Sequence, residues 1–458
     1  MGRQLQAAGQ FDKAEECYRR YLEDHEDAFK AHNNLGIVLE EQGNLGEAVK
    51  CYKTACELVP DDPIPLYNLG HAFFGQERFE TAAGVFERVI EMAPDHGPAH
   101  LNLAAIHWQN QDVAATEPLL RRAIELPDVA ESALHKLGLL LFEDGRYNDA
   151  LHYQKTALAL AERPQHYFHV AMCHRVMDQQ QEAADALAHV VRLDPAARIA
   201  HEHRVRALIA LGDREAAKDA LDEWSAAAPI DPVCDHMRAA FDENEERSRC
   251  TPEYVRETFG EFATDYEHTL ERLGYRAPEV IALCAEASLP VTGSFTRVLD
   301  AGCGTGLCAP TLRPLAQTLI GVDLAEPMLK QARARQLYDE LEEADLIDYL
   351  TLDSTRSEPF DAVIAGDTFN YFGELATLFA ATAGAMNPDG RLIFTLETGA
   401  DDERDFQLML HGRYAHAKSY VAKTLSAAGF VDTAFEPFVL RKESGRDVNA
   451  WLVTSKRV

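Results

Sequence analysis

A small residue behind a leucine recurs every 34 residues, as Leu35-Gly36, Leu69-Gly70, Leu103-Ala104 and Leu137-Gly138. Twelve positions after each small residue stand Ala48, Ala82, Thr116 and Ala150. Large apolar or aromatic residues follow at Tyr52, Phe86 and Leu120, then prolines at Pro60 and Pro94. The pattern continues less perfectly through Ala171, Ala183, Leu187 and Pro195, and again through Val205, Ala217, Leu221 and Pro229. Upstream, Ala14, Tyr18 and Tyr21 read as the second helix of a unit whose first helix is short or missing. The period has a physical cause. Two antiparallel helices pack closely only where a small side chain on each lets the backbones approach, and the proline stops the second helix before the next unit begins.

So many coincident positions make residues 1–231 resemble the tetratricopeptide repeat family, with six full repeats and one partial. The resemblance implies an all-α superhelix whose concave face, built by the first helices, binds an extended peptide. Asn34, Asn68 and Asn102 recur on that face, each just before the leucine. In peptide-binding members, asparagines at the matching position hold the ligand backbone, because an amide donates and accepts at once. The row then breaks, with Lys136, His169 and Arg204 or His203 near the equivalent positions. A shared groove is therefore expected in the first three full repeats.

Composition narrows the partners. With 44 basic against 75 acidic residues the formal charge is −31, and both halves are acidic. Phosphate backbones are bound by neutralising them, so a nucleic-acid partner is disfavoured, and the plain meaning of the charge is solubility. No apolar run approaches the ~18 residues of a membrane span. The first residues, MGRQLQAAGQFDKAEE, lack the apolar core of a signal peptide, so a cytoplasmic protein without a membrane partner is expected. Nine cysteines form no C-x-x-C pair, and eighteen histidines form no H-E-x-x-H. Neither a disulfide framework nor a metal site is indicated.

The repeat pattern ends near Asp231-Pro232, and DHMRAAFDENEERS reads as a capping or linker helix within 232–258. Phe259, Phe262, Tyr266 and Leu270 then fall at helical spacing. In TRVLDAGCGTG, the strand Val298-Leu299 runs into Asp300 and a turn through Gly302, Cys303, Gly304 and Gly306. Glycines let the backbone turn sharply with a cofactor against it. Gly304-x-Gly306-x-x-Ala309 also fits a dinucleotide fingerprint, and the strand end LIGVD, at Asp323, is common to both kinds of cofactor site. The full D-x-G-x-G-x-G run resembles motif I of the class I S-adenosylmethionine-dependent methyltransferases. PFDAVIAGDTFNYF, a strand ending in Asp367, continues that pattern, followed by the turn and strand of MNPDGRLIFTLE. A terminal hairpin in FEPFVLRKESGRDVNAWLVTS, around Ser444-Gly445, completes it.

The resemblance covers about residues 255–458, and together with the repeats and YDELEEADLIDYL it points to a bacterial group of methyltransferases fused to tetratricopeptide repeats. It implies that Gly302, Gly304 and Gly306 approach the methionine part of S-adenosylmethionine, with Asp300 holding that region. Asp323 would bind the ribose, Leu324 and Met328 would pack on the adenine, and Asp345, followed by Leu346, would accept from the adenine amino group. Phe259, Phe262 and Tyr266 resemble an aromatic helix that covers the cofactor, although core packing reads equally well for the phenylalanines.

Methyl transfer is an in-line displacement, so an enzyme supplies proximity, orientation and sometimes a base. In QLMLHGRYAHAKSYVAKTLSAAGF, His416 is the base candidate because imidazole titrates near neutrality, unless it merely caps the helix starting near Lys418. Tyr414 and Arg413 could orient the acceptor, the arginine by gripping a carboxylate. Asp367 and Tyr371 are expected to face the methyl site. No N-P-P-[YFW] motif and no Pro-Cys nucleophile occur, which leaves an oxygen, amine or thiol acceptor. The expected fold is thus α plus α/β: repeats over 1–231, a linker over 232–258, and over 259–458 a Rossmann-like domain whose mostly parallel sheet ends in an antiparallel hairpin. The expected function is methyl transfer to a protein or peptide that the repeats recruit, with S-adenosylhomocysteine as product. The alternatives are a small-molecule methyltransferase whose repeats serve homo-oligomerisation, and a scaffold with a non-catalytic domain.

Overall fold

The structure, a computed structural model, describes residues 1–242, 247–263, 266–398, 404–443 and 446–458, with all of their side chains except those of Glu261 and Phe262. It divides into two compact units, Met1–Ala200 and His201–Val458.

The first unit is all helix. Phe29–Glu41 pairs with Leu45–Leu58, and Pro63–Gly75 with Phe79–Met92. Gly97–Gln109 pairs with Val113–Ile124, Ala130–Glu143 with Tyr147–Leu160, and Pro164–Val176 with Gln180–Leu193. The expected small residues sit where helices meet. A methyl group built on Gly36 would lie 2.5 Å from the Tyr52 ring, and one on Gly70 would lie 2.8 Å from Phe86. On Gly138 it would lie 2.5 Å from the Gln154 side chain. Side chains sixteen residues apart therefore fill the space each small residue leaves. The partial unit does have a first helix, Gly2–Ala7, with Gly2 against the Tyr18 ring. Helices end at Leu58 and Met92, just before Pro60 and Pro94, as a residue without a backbone N–H dictates.

The second unit opens with most of the helix Arg198–Leu211 and with Arg214–Ala227, where Trp224 is fully buried. The capping helix, Pro232–Ala239, is shorter than the charge pattern through Ser248 suggested, and 243–246 lie outside the described residues. It packs between Arg214–Ala227 and a further helix, Pro252–Phe262. The spacing of Phe259, Phe262, Tyr266 and Leu270 predicted one helical run. The structure gives the helices Pro252–Phe262 and Tyr266–Arg272, while residues 264–265 and the Phe262 side chain lie outside the described residues.

Seven strands then form one sheet in the order β3-β2-β1-β4-β5-β9-β8. They are β1 (Phe295–Ala301), β2 (Ala316–Asp323), β3 (Glu340–Glu343), β4 (Phe360–Ala365), β5 (Met386–Glu397), β8 (Phe430–Glu443) and β9 (Arg446–Arg457). β6 (Phe406–Leu408) and β7 (Tyr414–His416) make a separate two-stranded ribbon. Strands β1 to β5 pair in parallel, and β9 joins β5 and β8 antiparallel. The parallel sheet with an antiparallel ending is the one expected, although the turn Ser444-Gly445 lies outside the described residues. β4 stops at Ala365, two residues short of Asp367, which is left on the loop beyond.

Alternation of side chains gives the sheet two apolar faces. Leu299, Ala301, Ile320 and Val322 pack with helices Leu346–Thr351, Ala376–Gly384 and Lys418–Ala427. Val298, Leu319, Ala362 and Ile364 pack on the other face with Ala277–Ala287 and Ala309–Leu312. Strand order reverses between β1 and β4, which opens a crevice at their carboxyl ends. Among the described residues, no helix is long and apolar enough to cross a membrane.

Candidate active site

The loop after β1 is built by left-handed glycines, with φ of +70° at Gly302 and +54° at Gly304. A side chain on Gly302 would collide with Thr368. Gly302 N and Cys303 N both donate to Val322 O, at 2.7 and 3.0 Å, which ties the loop to the end of β2. There Asp323 is held from behind: its Oδ2 accepts from Gly304 N and its Oδ1 from Ala325 N, each at 2.9 Å. Burial raises its carboxyl pKa, while these amides favour the ionised form. Asp300 is buried at the end of β1, and Tyr338 donates its hydroxyl to Oδ2 at 2.6 Å. Burial pushes the Asp300 carboxyl up to about 7.

A cleft opens beyond this loop. Its walls include Gly302, Gly304, Asp323, Leu324, Met328, Asp345, Leu346, Asp367, Tyr371 and Tyr266. A small adjoining recess is lined by Asp300, Cys303 and Tyr275. Of the residues expected to hold a cofactor, Gly306 stands apart. A methyl group built on it would lie 3.1 Å from both Arg335 and Tyr338, and its φ of +81° is left-handed, so it serves packing behind the loop. Met328 packs with Ala263 and Ala325 under Phe259 and Tyr266, and the Phe259 ring stands edge-on to Tyr371, 5.4 Å between centroids. The donor set suits a nucleoside. A backbone-fixed carboxylate can take a diol, a second carboxylate a base amine, and apolar side chains the base faces.

The sequence reading missed the roof of this cleft, formed by Arg249, Cys250, Pro252 and Val255. Arg249 pairs with Phe372 in an isolated antiparallel bridge, and its Nη1 lies 3.1 and 2.9 Å from the two Asp345 oxygens. Asp345 also caps helix Leu346–Thr351 by accepting from Ile347 N at 3.0 Å.

At the other end of the cleft, Asp367 sits in left-handed backbone, with φ of +62°. Its N donates to Thr395 Oγ1 at 2.8 Å, its Oδ1 accepts from Asn370, and its Oδ2 accepts from Arg441 Nη1 at 2.8 Å. Arg441 is buried on β8 and also binds Glu397 and Glu443. Burial opposes the charge on Glu443, yet Arg413 and Arg441 hold its carboxyl down to about 2. The network was not foreseen, because its members come from strands far apart in the chain. A hint was an arginine in the otherwise apolar stretch FVLRKE.

Three expected catalytic residues do not line the cleft. Arg413 is spent on acids, its Nε 2.6 Å from Glu397 and its Nη2 2.9 Å from Glu443, so it offers no ready grip for a carboxylate. Tyr414 is buried and donates to Arg247 O at 3.0 Å. His416 is buried on β7, where Nε2 donates to Phe372 O at 2.8 Å and burial lowers its pKa to about 4. Nor does it cap the next helix, whose N-cap is Ala417. The imidazole that reaches the acidic network is His411, 3.6 Å from Glu397.

In the repeats, the asparagine row bonds within the array. Asn68 Nδ2 donates to Asn33 Oδ1 at 2.8 Å, Asn102 Nδ2 to Tyr67 Oη at 3.2 Å, and Asn34 bonds Tyr18. Part of each amide's capacity is thereby used within the array, Asn68 and Asn102 by neighbouring first helices and Asn34 by a second helix.

Comparison with known proteins agrees with this anatomy. A family model for a methyltransferase domain matches residues 299–392, and tetratricopeptide repeat models match 1–63, 67–131 and 132–163. The human methyltransferase-like protein 27 is 40% identical over 18% of this chain and 34% of its own length. A ubiquinone biosynthesis O-methyltransferase from Thiobacillus denitrificans is 28% identical over 36% of this chain and 80% of its own. A malonyl-[acyl-carrier protein] O-methyltransferase from Salmonella typhimurium is 30% identical over 36% of this chain and 61% of its own. The chain thus spans about a third of the first of these relatives and more of the other two.

Proposed function

We propose that this chain, which joins tetratricopeptide repeats to a methyltransferase domain, moves a methyl group from S-adenosylmethionine to an acceptor that a recruited protein is or carries. The observation that carries the cofactor reading is Asp323. Its carboxylate is pinned by Gly304 N and Ala325 N beside the glycine loop, so its remaining lone pairs are offered to a vicinal diol without reorganisation.

When bound, the cofactor supplies an electrophilic methyl on its sulfonium. Asp323 and Asp345 would hold its nucleoside, Leu324, Met328 and Leu346 would pack on the base, and Asp300 would face the methionine end from the adjoining recess. Phe259, Tyr266 and Tyr371 would keep water out. Asp367 would take the acceptor's proton, because burial raises its affinity for one and Arg441 and Asn370 fix its direction. An oxygen acceptor is favoured among oxygen, nitrogen and sulfur by two of the relatives named above, both O-methyltransferases. One of their names describes an acyl group on a carrier protein, a substrate of the kind a repeat array can bring.

A second reading, a free small-molecule acceptor with repeats serving assembly, draws support from the asparagine amides already bonded within the array. Calorimetry with S-adenosylhomocysteine tests the cofactor, with Asp323→Ala expected to bind at least about tenfold more weakly because a buried donor is left unpaired. Unchanged affinity would contradict this placement. Radiolabelled methyl transfer into cell extract separates the two readings: label in precipitated protein supports recruitment, and label in the small-molecule fraction supports the second.

A further inference from the structure

The segment that follows the capping helix is fixed to the methyltransferase domain by its backbone. Cys250 N donates to Tyr371 O at 2.8 Å, and Gly373 N and Glu374 N both donate to Ser248 O at 2.8 Å. Between them stands Arg249, which lines the cleft. Its guanidinium meets Asp345, with Nη1 3.1 Å from Oδ1 and 2.9 Å from Oδ2.

The Asp345 carboxylate is unevenly loaded. Oδ1 accepts from Ile347 N and Asp348 N, at 3.0 and 3.4 Å, as well as from Arg249. Oδ2 takes only the arginine among these partners, and a carboxylate oxygen has two acceptor directions. A charge-assisted contact to both oxygens, with the two amides on Oδ1, stops the group rotating. A carboxylate fixed in this way presents acceptors, so it favours a ring edge bearing an amino group over one bearing a carbonyl.

We propose that Arg249 is a positioning residue that sets the selectivity of the cleft for a 6-amino purine, by holding the Asp345 carboxylate in one orientation. The proposal rests on the cofactor reading above and gives the stretch between repeats and catalytic sheet a part in ligand choice.

The test compares binding of S-adenosylhomocysteine with that of S-inosylhomocysteine, which carries a carbonyl in place of the amine, by calorimetry on the full-length chain. Wild type is expected to prefer the amine by about tenfold or more. Arg249→Met should cut that preference severalfold, chiefly by weakening the amine compound. Arg249→Lys, which keeps the charge but loses the guanidinium plane, should fall between. Asp323→Ala should weaken both ligands alike and leave the ratio intact. An unaltered ratio in folded Arg249→Met overturns the proposal and leaves Arg249 as a rivet for the backbone. If that variant does not fold, a wild-type ratio in Arg249→Lys overturns it equally. Wild-type protein that binds neither compound sinks the cofactor reading instead.

Discussion

Asp300 illustrates how a single carboxyl couples stability to function. Burial raises it to about 7 in the folded chain, against an ordinary aspartate in the unfolded one. Folding therefore takes up a proton between roughly pH 4 and 7, and stability falls as pH rises through that window, then levels off. Asp300→Asn keeps an acceptor for the Tyr338 hydroxyl but carries no charge. It is expected to gain about 2 kcal/mol near neutral pH, read as a higher urea midpoint, and to flatten the acid limb. A variant no more stable than wild type at pH 8 would show that Asp300 is not strained by its burial. At this scale the sequence was legible where a residue acts through its neighbours in the chain. Asp323 and Gly304 stand nineteen residues apart in the chain. His416 was drawn out by its chemistry, yet its ring lies under the Phe372 and Gly373 carbonyls, contacts from another stretch of chain that no local pattern announces.

Among elements, the repeat helices were the most readable because each contact is set within one unit. The fit of Gly70 against Phe86 is encoded by two residues sixteen apart. Helix propensity and packing can be separated here. Gly84 lies on the exposed side of its helix with nothing within 4 Å of an added methyl, so Gly84→Ala should stabilise by about 0.5–1 kcal/mol. Gly70→Ala should destabilise instead, because the Phe86 ring must move. Denaturation midpoints that shift in the same direction would refute the close-approach role. The ionic network of Arg441, Glu397, Asp367 and Arg413 is the opposite case. It joins β5, β8, the β6–β7 turn and the loop after β4, and pairings of that range are set by sheet topology rather than by any period in the sequence.

For the whole molecule, the boundary expected at 231/232 runs through a packed region of the second unit. The capping helix rests on Arg214–Ala227, with Cys234 Sγ 3.8 Å from Leu221 O, and its buried His236 donates to Gly412 O at 2.9 Å. Tyr254 stacks on the same imidazole, 3.8 Å between ring centroids. Deleting residues 1–231 should therefore weaken S-adenosylhomocysteine binding as well as any recruitment, whereas deleting 1–196 should spare it. Equal affinity in both truncations would show that the last repeat gives the cleft no support. The burial of Trp224 has a practical use. The chain has three tryptophans, Trp108 in the repeats, Trp224 on Arg214–Ala227 stacked on His201, and Trp451 on β9. Because Trp224 is wholly enclosed, its fluorescence should be the bluest of the three, so with Trp108 and Trp451 replaced by phenylalanine the chain would carry its own optical gauge of whether the last repeat and the roof of the cleft are still in register.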